Sequence, residues 1–282
     1  MDFQKSLRRA RSIAGLAFFS LLTTSLTSAQ DFDAESPDFN IGPQEAGEDV
    51  DLELVLAVDI SFSVDGVEAR MQREGYISAI SHPSVLAAIE SGFLGKIAVT
   101  YVEWADAYYQ NQLVHWSVVS DEESAMIFAG QLAGQPLNRA YYTSISHAID
   151  FSTSLFEGNG YVGLRKVIDI SGDGPHNQGR RLSDARREAL DKGITINGLP
   201  ILNDRPQPWG IMSTPRDMQL DLYYSDYVIG GPGAFFVTAE DFVVFRSAIL
   251  SKLIREIANV PTSDISKFAT VMPRQRSVAI PD

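Results

Sequence analysis

Apolar runs with the character of strands alternate with segments of helical periodicity along most of this chain, and that alternation leaves few folds open. Leu52 to Val58 is a near-continuous apolar run, the pattern of a strand buried on both faces of a parallel sheet. Asp65 and Glu68 then form a capping box, and Val67, Met71, Ile77 and Ile80 continue at helical spacing. Ile97 to Val102 and Leu113 to Val119 read as the second and third strands. Ile145, Ala148, Ile149, Ser152 and Phe156 mark a helix whose N-terminus carries Thr143; Val167 to Ile170 is the next strand, and Leu182, Ala185 and Ala189 mark the helix after it. Ile194 to Leu199 is a fifth strand. Ala234 to Val237 is a sixth, leading through Thr238 into a long helix with Phe242, Phe245, Ile249, Leu253 and Ile257 on one face. The pattern predicts an α/β fold: a doubly wound, mostly parallel central sheet flanked by helices. In such sheets ligands bind beyond the carboxyl ends of the strands, where the strand order reverses.

The chain has 282 residues, 45% of them hydrophobic, enough for one well-buried domain and short tails. Residues 1–29 have the pattern of a secretory signal peptide: Lys5, Arg8, Arg9 and Arg11, an apolar run from Ile13 to Leu26, then Thr27-Ser28-Ala29 as cleavage site. Cleavage near Ala29 implies a periplasmic or secreted protein with no stable membrane insertion. Residues 30–50 form an acidic, Pro- and Gly-punctuated lead-in, 51–258 the domain, and 259–282 an irregular tail. There is no cysteine, hence no disulfide and no lipid-anchoring thiol. Removing the signal takes Asp2 and four basic residues from totals of 36 and 23, leaving 35 acidic and 19 basic side chains and a formal charge of −16. That balance argues against nucleic acid and anionic membrane surfaces as partners.

Three separated segments carry the oxygen donors of a single divalent-metal site. They are Asp59-Ile60-Ser61-Phe62-Ser63, Tyr142-Thr143-Ser144 and Ser171-Gly172-Asp173-Gly174. Asp59 and Asp173 each follow an apolar strand run, at the rim where the fold class places ligands. A hard cation such as Mg²⁺ takes oxygen ligands in octahedral array and keeps several waters. Two carboxylates with three hydroxyls suit it, and leave a position open.

Asp-x-Ser-x-Ser after a strand, a Thr at a later helix start and Ser-Gly-Asp-Gly after another strand resemble the metal-ion-dependent adhesion site (MIDAS) of the von Willebrand factor A superfamily. The segments Glu53–Asp59, Ile97–Trp104, Val167–Gly174 and Val228–Phe235 resemble a family of exported bacterial proteins of unknown function within it. The resemblance implies that Ser61, Ser63 and Thr143 coordinate the metal through their hydroxyls. Asp59 and Asp173 would act directly or through bound waters. It also implies a Mg²⁺ ion, with Mn²⁺ or Ca²⁺ as substitutes, and a protein partner presenting an Asp or Glu carboxylate to the open position. Phe62 stands where the superfamily often has Gly.

The function expected is metal-dependent protein binding in adhesion or assembly, without catalysis. A rival is a Mg²⁺-dependent phosphatase-like hydrolase with Asp59 as nucleophile. In that scheme the acid two residues later is missing, because Ser61 occupies its place. A third possibility is a degenerate structural domain that binds no metal. His147 and His176 border the motifs, more simply as a helix-surface and a hydrogen-bonded loop histidine. Trp209, in a long loop from Asn203 to Asp217, either contacts a ligand or pins its own loop. Gly230-Gly231-Pro232-Gly233 is expected to be a turn, and Tyr223, Tyr224 and Tyr227 packing residues.

Overall fold

The computed structural model describes residues 47–61, 63–202, 219–240 and 244–259. The segment expected to be a signal peptide, the lead-in up to residue 46, Phe62, the loop with Trp209, Phe242 and the tail from Val260 lie outside the described residues. Among those described, no helix is long and apolar enough to cross a membrane.

Five strands form the central sheet: β2 (Leu52–Asp59), β3 (Ile97–Trp104), β4 (Gln110–Val119), β6 (Lys166–Gly172) and β7 (Ile194–Pro200), in the order β4-β3-β2-β6-β7. All neighbours are parallel except β4, which closes one edge antiparallel to β3. Strands β2 and β3 are buried along their whole length, as their apolar runs predict. A small parallel pair, β1 (Glu48–Val50) with β5 (Tyr161–Gly163), lies apart from this sheet. The end of the acidic lead-in therefore takes up strand structure.

Helices cover both faces. Helix α1 (Gly66–Ile80) starts at the expected Asp65/Glu68 capping box. It packs with α2 (Pro83–Glu90), α3 (Glu122–Ala133) and the last helix, α7 (Phe245–Ala258), over Leu54, Leu56, Val58, Val99 and Tyr101. On the other face α4 (Ile145–Ser154), α5 (Leu182–Asp191) and the short α6 (Leu220–Tyr223) cover Val55, Ala57, Val102, Ile168 and Ile170. Helices α2 and α3 escaped the periodicity argument, although Pro83 at the first turn of α2 and the Asp121/Ser124 capping box of α3 mark their starts.

The expected sixth strand is a correction. Residues 229–239 meet β7 only at isolated bridges, Gly230 antiparallel to Ile196, then Phe236 and Ala239 parallel to Gly198 and Ile201. The chain reverses between them through Gly231 and Gly233, both at positive φ. Phe235 N–H donates to the Asn197 side chain at 2.9 Å; Gly198 then bonds Phe235 and Val237, and Pro200, which has no N–H, cannot supply the next rung of the ladder.

The chain leaves β2 for β3 and β4 on one side and returns to β6 and β7 on the other. The strand order reverses between β2 and β6. Asp59 ends β2 and Asp173 follows β6, so both stand at that switch point.

Candidate metal site

Four of the five expected donors are linked directly. Asp59 Oδ1 accepts the Ser61 backbone N–H at 2.7 Å, which curls the chain back over the strand end. Ser61 Oγ and Ser63 Oγ are 3.0 Å apart, and Ser63 Oγ donates to Asp173 Oδ1 at 2.6 Å. The fifth, Thr143, adjoins the Asp173 loop: a Cβ on Gly174 would lie 3.8 Å from Thr143 Oγ1.

Thr143 does not cap the helix, as its position in the sequence suggested. Helix α4 begins at Ile145 with Ser144 as N-cap, and Ser144 makes no side-chain cap hydrogen bond. Thr143 is held from elsewhere. Its N–H donates to Asn177 Oδ1 and its carbonyl accepts Asn177 N–H, each at 2.9 Å. Tyr142, immediately before it, has φ +60°, a left-handed conformation that an aromatic residue adopts only under strong local constraint.

The loop after β6 is fastened at several points. Ala107 N–H donates to Gln178 Oε1 at 2.8 Å, and Arg180 bonds Asp150 of α4 through both Nε and a terminal nitrogen, at 2.7 and 2.5 Å. At Gly179 (φ +103°) an added Cβ would lie 2.4 Å from His147 Nδ1, so only glycine allows this approach. The loop before α4 is anchored by Arg73, buried beneath it. Its guanidinium pairs with Glu103 and donates to the carbonyls of Leu132, Gln135 and Pro136 at 3.1–3.3 Å. Asn177, Gln178 and Arg73 were not singled out from sequence. A polar run after Asp173 was visible, but its partners are far away along the chain.

Among the described residues the site has no cation of its own. Asp59 is 0% exposed and Asp173 9%, and among the described residues neither makes an ion pair. Burial, followed by the charge of Asp173, pushes Asp59 well above the usual carboxylate range. Burial, opposed by the Ser63 hydroxyl and reinforced by Glu68, pushes Asp173 up to about 6. One oxygen of each, Asp59 Oδ2 and Asp173 Oδ2, is buried without a hydrogen-bond partner among the described residues. No three His, Cys, Asp or Glu side chains among the described residues group into a metal site. What this rim offers is two carboxylates and three neutral hydroxyls, a donor set that fits a hard dication.

The bordering histidines are engaged elsewhere. His147 Nδ1 is 2.8 Å from Ser144 Oγ, and His176 Nε2 is 3.0 Å from the Arg180 carbonyl oxygen, with burial lowering the His176 pKa. Gly230 to Gly233 form the expected turn, with Arg186 donating to the Ile229 carbonyl beside it. Of the three tyrosines, Tyr227 is exposed and its ring lies 5.3 Å from that of Tyr223. Tyr224 is fully buried in the core beneath the site, as the packing expectation has it.

Residues 49–261 match the family described as "Protein of unknown function (DUF1194)". The chain belongs to this family. No curated protein matches the sequence. Among solved structures, this DUF1194 protein is similar to proximal thread matrix protein 1 from the mussel byssus, solved with a zinc-occupied MIDAS motif. The TM-score is 0.55 at 13% identity, over 75% of this chain and 49% of that one. It is also similar to the pilus adhesin SpaC from Lactobacillus rhamnosus GG, with a TM-score of 0.52 at 15% identity, over 74% of this chain and 31% of that one. The likeness is one of fold, the von Willebrand factor A type, and the DUF1194 chain matches about half of the first protein and a third of the second.

Proposed function

We propose that this chain is an exported binding module that holds a divalent cation with Asp59, Ser61, Ser63, Thr143 and Asp173 and captures an acidic residue of a protein partner. The observation that carries this is a pair of buried carboxylates at the switch point with hydroxyls and, among the described residues, no basic side chain paired with them. Two like charges brought together out of water are unfavourable unless they are protonated or an outside cation joins them. The hydroxyls are neutral, so they add donors without cancelling the charge of the ion. When bound, a Mg²⁺ ion would supply positive charge and a coordination position open to an incoming carboxylate. The zinc-occupied MIDAS of the mussel protein and the adhesin role named for SpaC are in keeping with this. Export rests on residues 1–29 of the sequence.

The test is calorimetric titration of Mg²⁺ and Mn²⁺ into the wild type and Asp59→Ala, followed by capture of envelope proteins with Mg²⁺ or with chelator. Binding of metal by the wild type alone, and metal-dependent capture, support the module. Equal affinities in the two proteins overturn the assignment. Sustained Asp59-dependent turnover of an aryl phosphate would favour the hydrolase instead.

A further inference from the structure

Tyr224 has a hydroxyl that the site as described does not use. It opens a π-helical turn, Tyr224–Val228, closed by the Ile229 N–H donating to the Tyr224 carbonyl at 2.9 Å. Such turns re-aim one side chain and recur at functional sites. Two glycines on adjacent strands make room for the ring. A Cβ on Gly198 would lie 2.7 Å from Tyr224 Cδ1, and one on Gly172 would lie 2.9 Å from the Tyr224 hydroxyl.

The same Cβ on Gly172 would be 3.0 Å from Asp59 Oδ2. The phenol oxygen and Asp59 Oδ2 therefore converge on one glycine and lie within about 6 Å of each other, a span that one bridging water covers with two ordinary hydrogen bonds. Both atoms are buried and neither has a hydrogen-bond partner among the described residues. Asp59 Oδ1 is already committed to Ser61 N–H, which leaves Oδ2 as the oxygen with capacity to spare. Phenylalanine would fill the same cradle without the cost of burying a hydroxyl. Burial and the charges of Asp59 and Asp173 keep the phenol protonated, hence a donor.

We propose that Tyr224 is a positioning residue of the metal site, its O–H held to Asp59 Oδ2 through one water and fixing the orientation of that carboxylate. This rests on the metal-site reading above. Groups that orient a ligand in this way are typically worth about tenfold or more in metal affinity.

The test uses the mature chain. Mg²⁺ is titrated calorimetrically into the wild type, Tyr224→Phe and Tyr76→Phe. Tyr76 is a fully buried tyrosine on the opposite face of the sheet. Tyr224→Phe should bind about tenfold more weakly, and Tyr76→Phe like the wild type. In parallel, a ¹³C label at Cζ of Tyr224 alone should shift on Mg²⁺ addition with the calorimetric midpoint, a readout that does not depend on any variant folding. Wild-type affinity in Tyr224→Phe, or a Tyr224 resonance unmoved at saturating Mg²⁺, overturns the inference while leaving the metal site intact. A wild type that binds no metal overturns both, and is told apart by the first titration.

Discussion

Strand β6 carries one buried carboxylate in its middle and delivers another just past its end, and the protein treats them in opposite ways. Asp169 faces α7, where Lys252 Nζ lies 2.6 Å from Asp169 Oδ1 and 3.0 Å from Glu256 Oε1, all three side chains fully buried. Asn197 closes the cluster by donating to Glu256 at 2.7 Å. Asp173, one residue beyond the strand, meets the charge of Asp59 and the Ser63 hydroxyl, and among the described residues it pairs with no lysine or arginine. Burial raises both acids, Asp169 to about 7 and Asp173 to about 6. The difference is where the positive charge comes from. Inside the sheet the chain supplies it, and the cluster is closed; at the rim the described residues supply only oxygens, the arrangement the proposed cation site requires.

The sharpest way to break this contrast is to remove the internal cation. Lys252→Met leaves Asp169 and Glu256 buried without a counter-charge and should cost about 3–5 kcal/mol in urea unfolding. Asp59→Ala should do the reverse: metal affinity falls by about a hundredfold or more, while stability in chelator stays level or rises because an uncompensated buried charge is gone. If Asp59→Ala in chelator is destabilised as severely as Lys252→Met, the rim is structural and the comparison fails.

A smaller effect is expected at Thr143. Because Ser144 is the N-cap of α4, Thr143→Ala should leave thermal stability nearly unchanged and weaken Mg²⁺ binding by about tenfold, whereas Thr143→Ser should restore it. A fall in melting temperature with unaltered affinity would return Thr143 to a capping role.

The last effect is a slope, small within any one pH unit. Burial, with Glu256 adding to it and Lys252 opposing, raises Asp169 from the ordinary carboxylate value to about 7 in the folded state. The folded protein therefore holds a proton that the unfolded chain releases near pH 4. This contribution is fully present below pH 4 and is lost as pH rises to about 7, at no more than about 1.4 kcal/mol per pH unit. Asp169→Asn should flatten the stability profile across that window relative to wild type, as measured by urea unfolding at a series of pH values. Identical profiles would show that Lys252 keeps Asp169 ionised throughout.

The sequence by itself determined the sheet and the chemistry of its rim. Leu52–Asp59 and Ile97–Trp104 are buried on both faces, so their apolar character is continuous and visible in a short window. Asp59, Ser61, Ser63 and Asp173 stand at strand ends that the same runs locate. Tertiary structure decided what depends on distant partners. Ala234 to Val237 is held to one bridge, with Asn197 taking the Phe235 N–H on one side and Pro200 offering none on the other, and Thr143 is placed by Asn177 and not by its own helix. The Tyr224 ring fits beneath the rim only because Gly172 and Gly198 leave room for it, and Lys252 pairs with Asp169 from another element altogether. A residue's local pattern records whether it is buried, since burial repeats with the period of its strand or helix. It does not record which group it will meet there, because that is set by how whole elements pack.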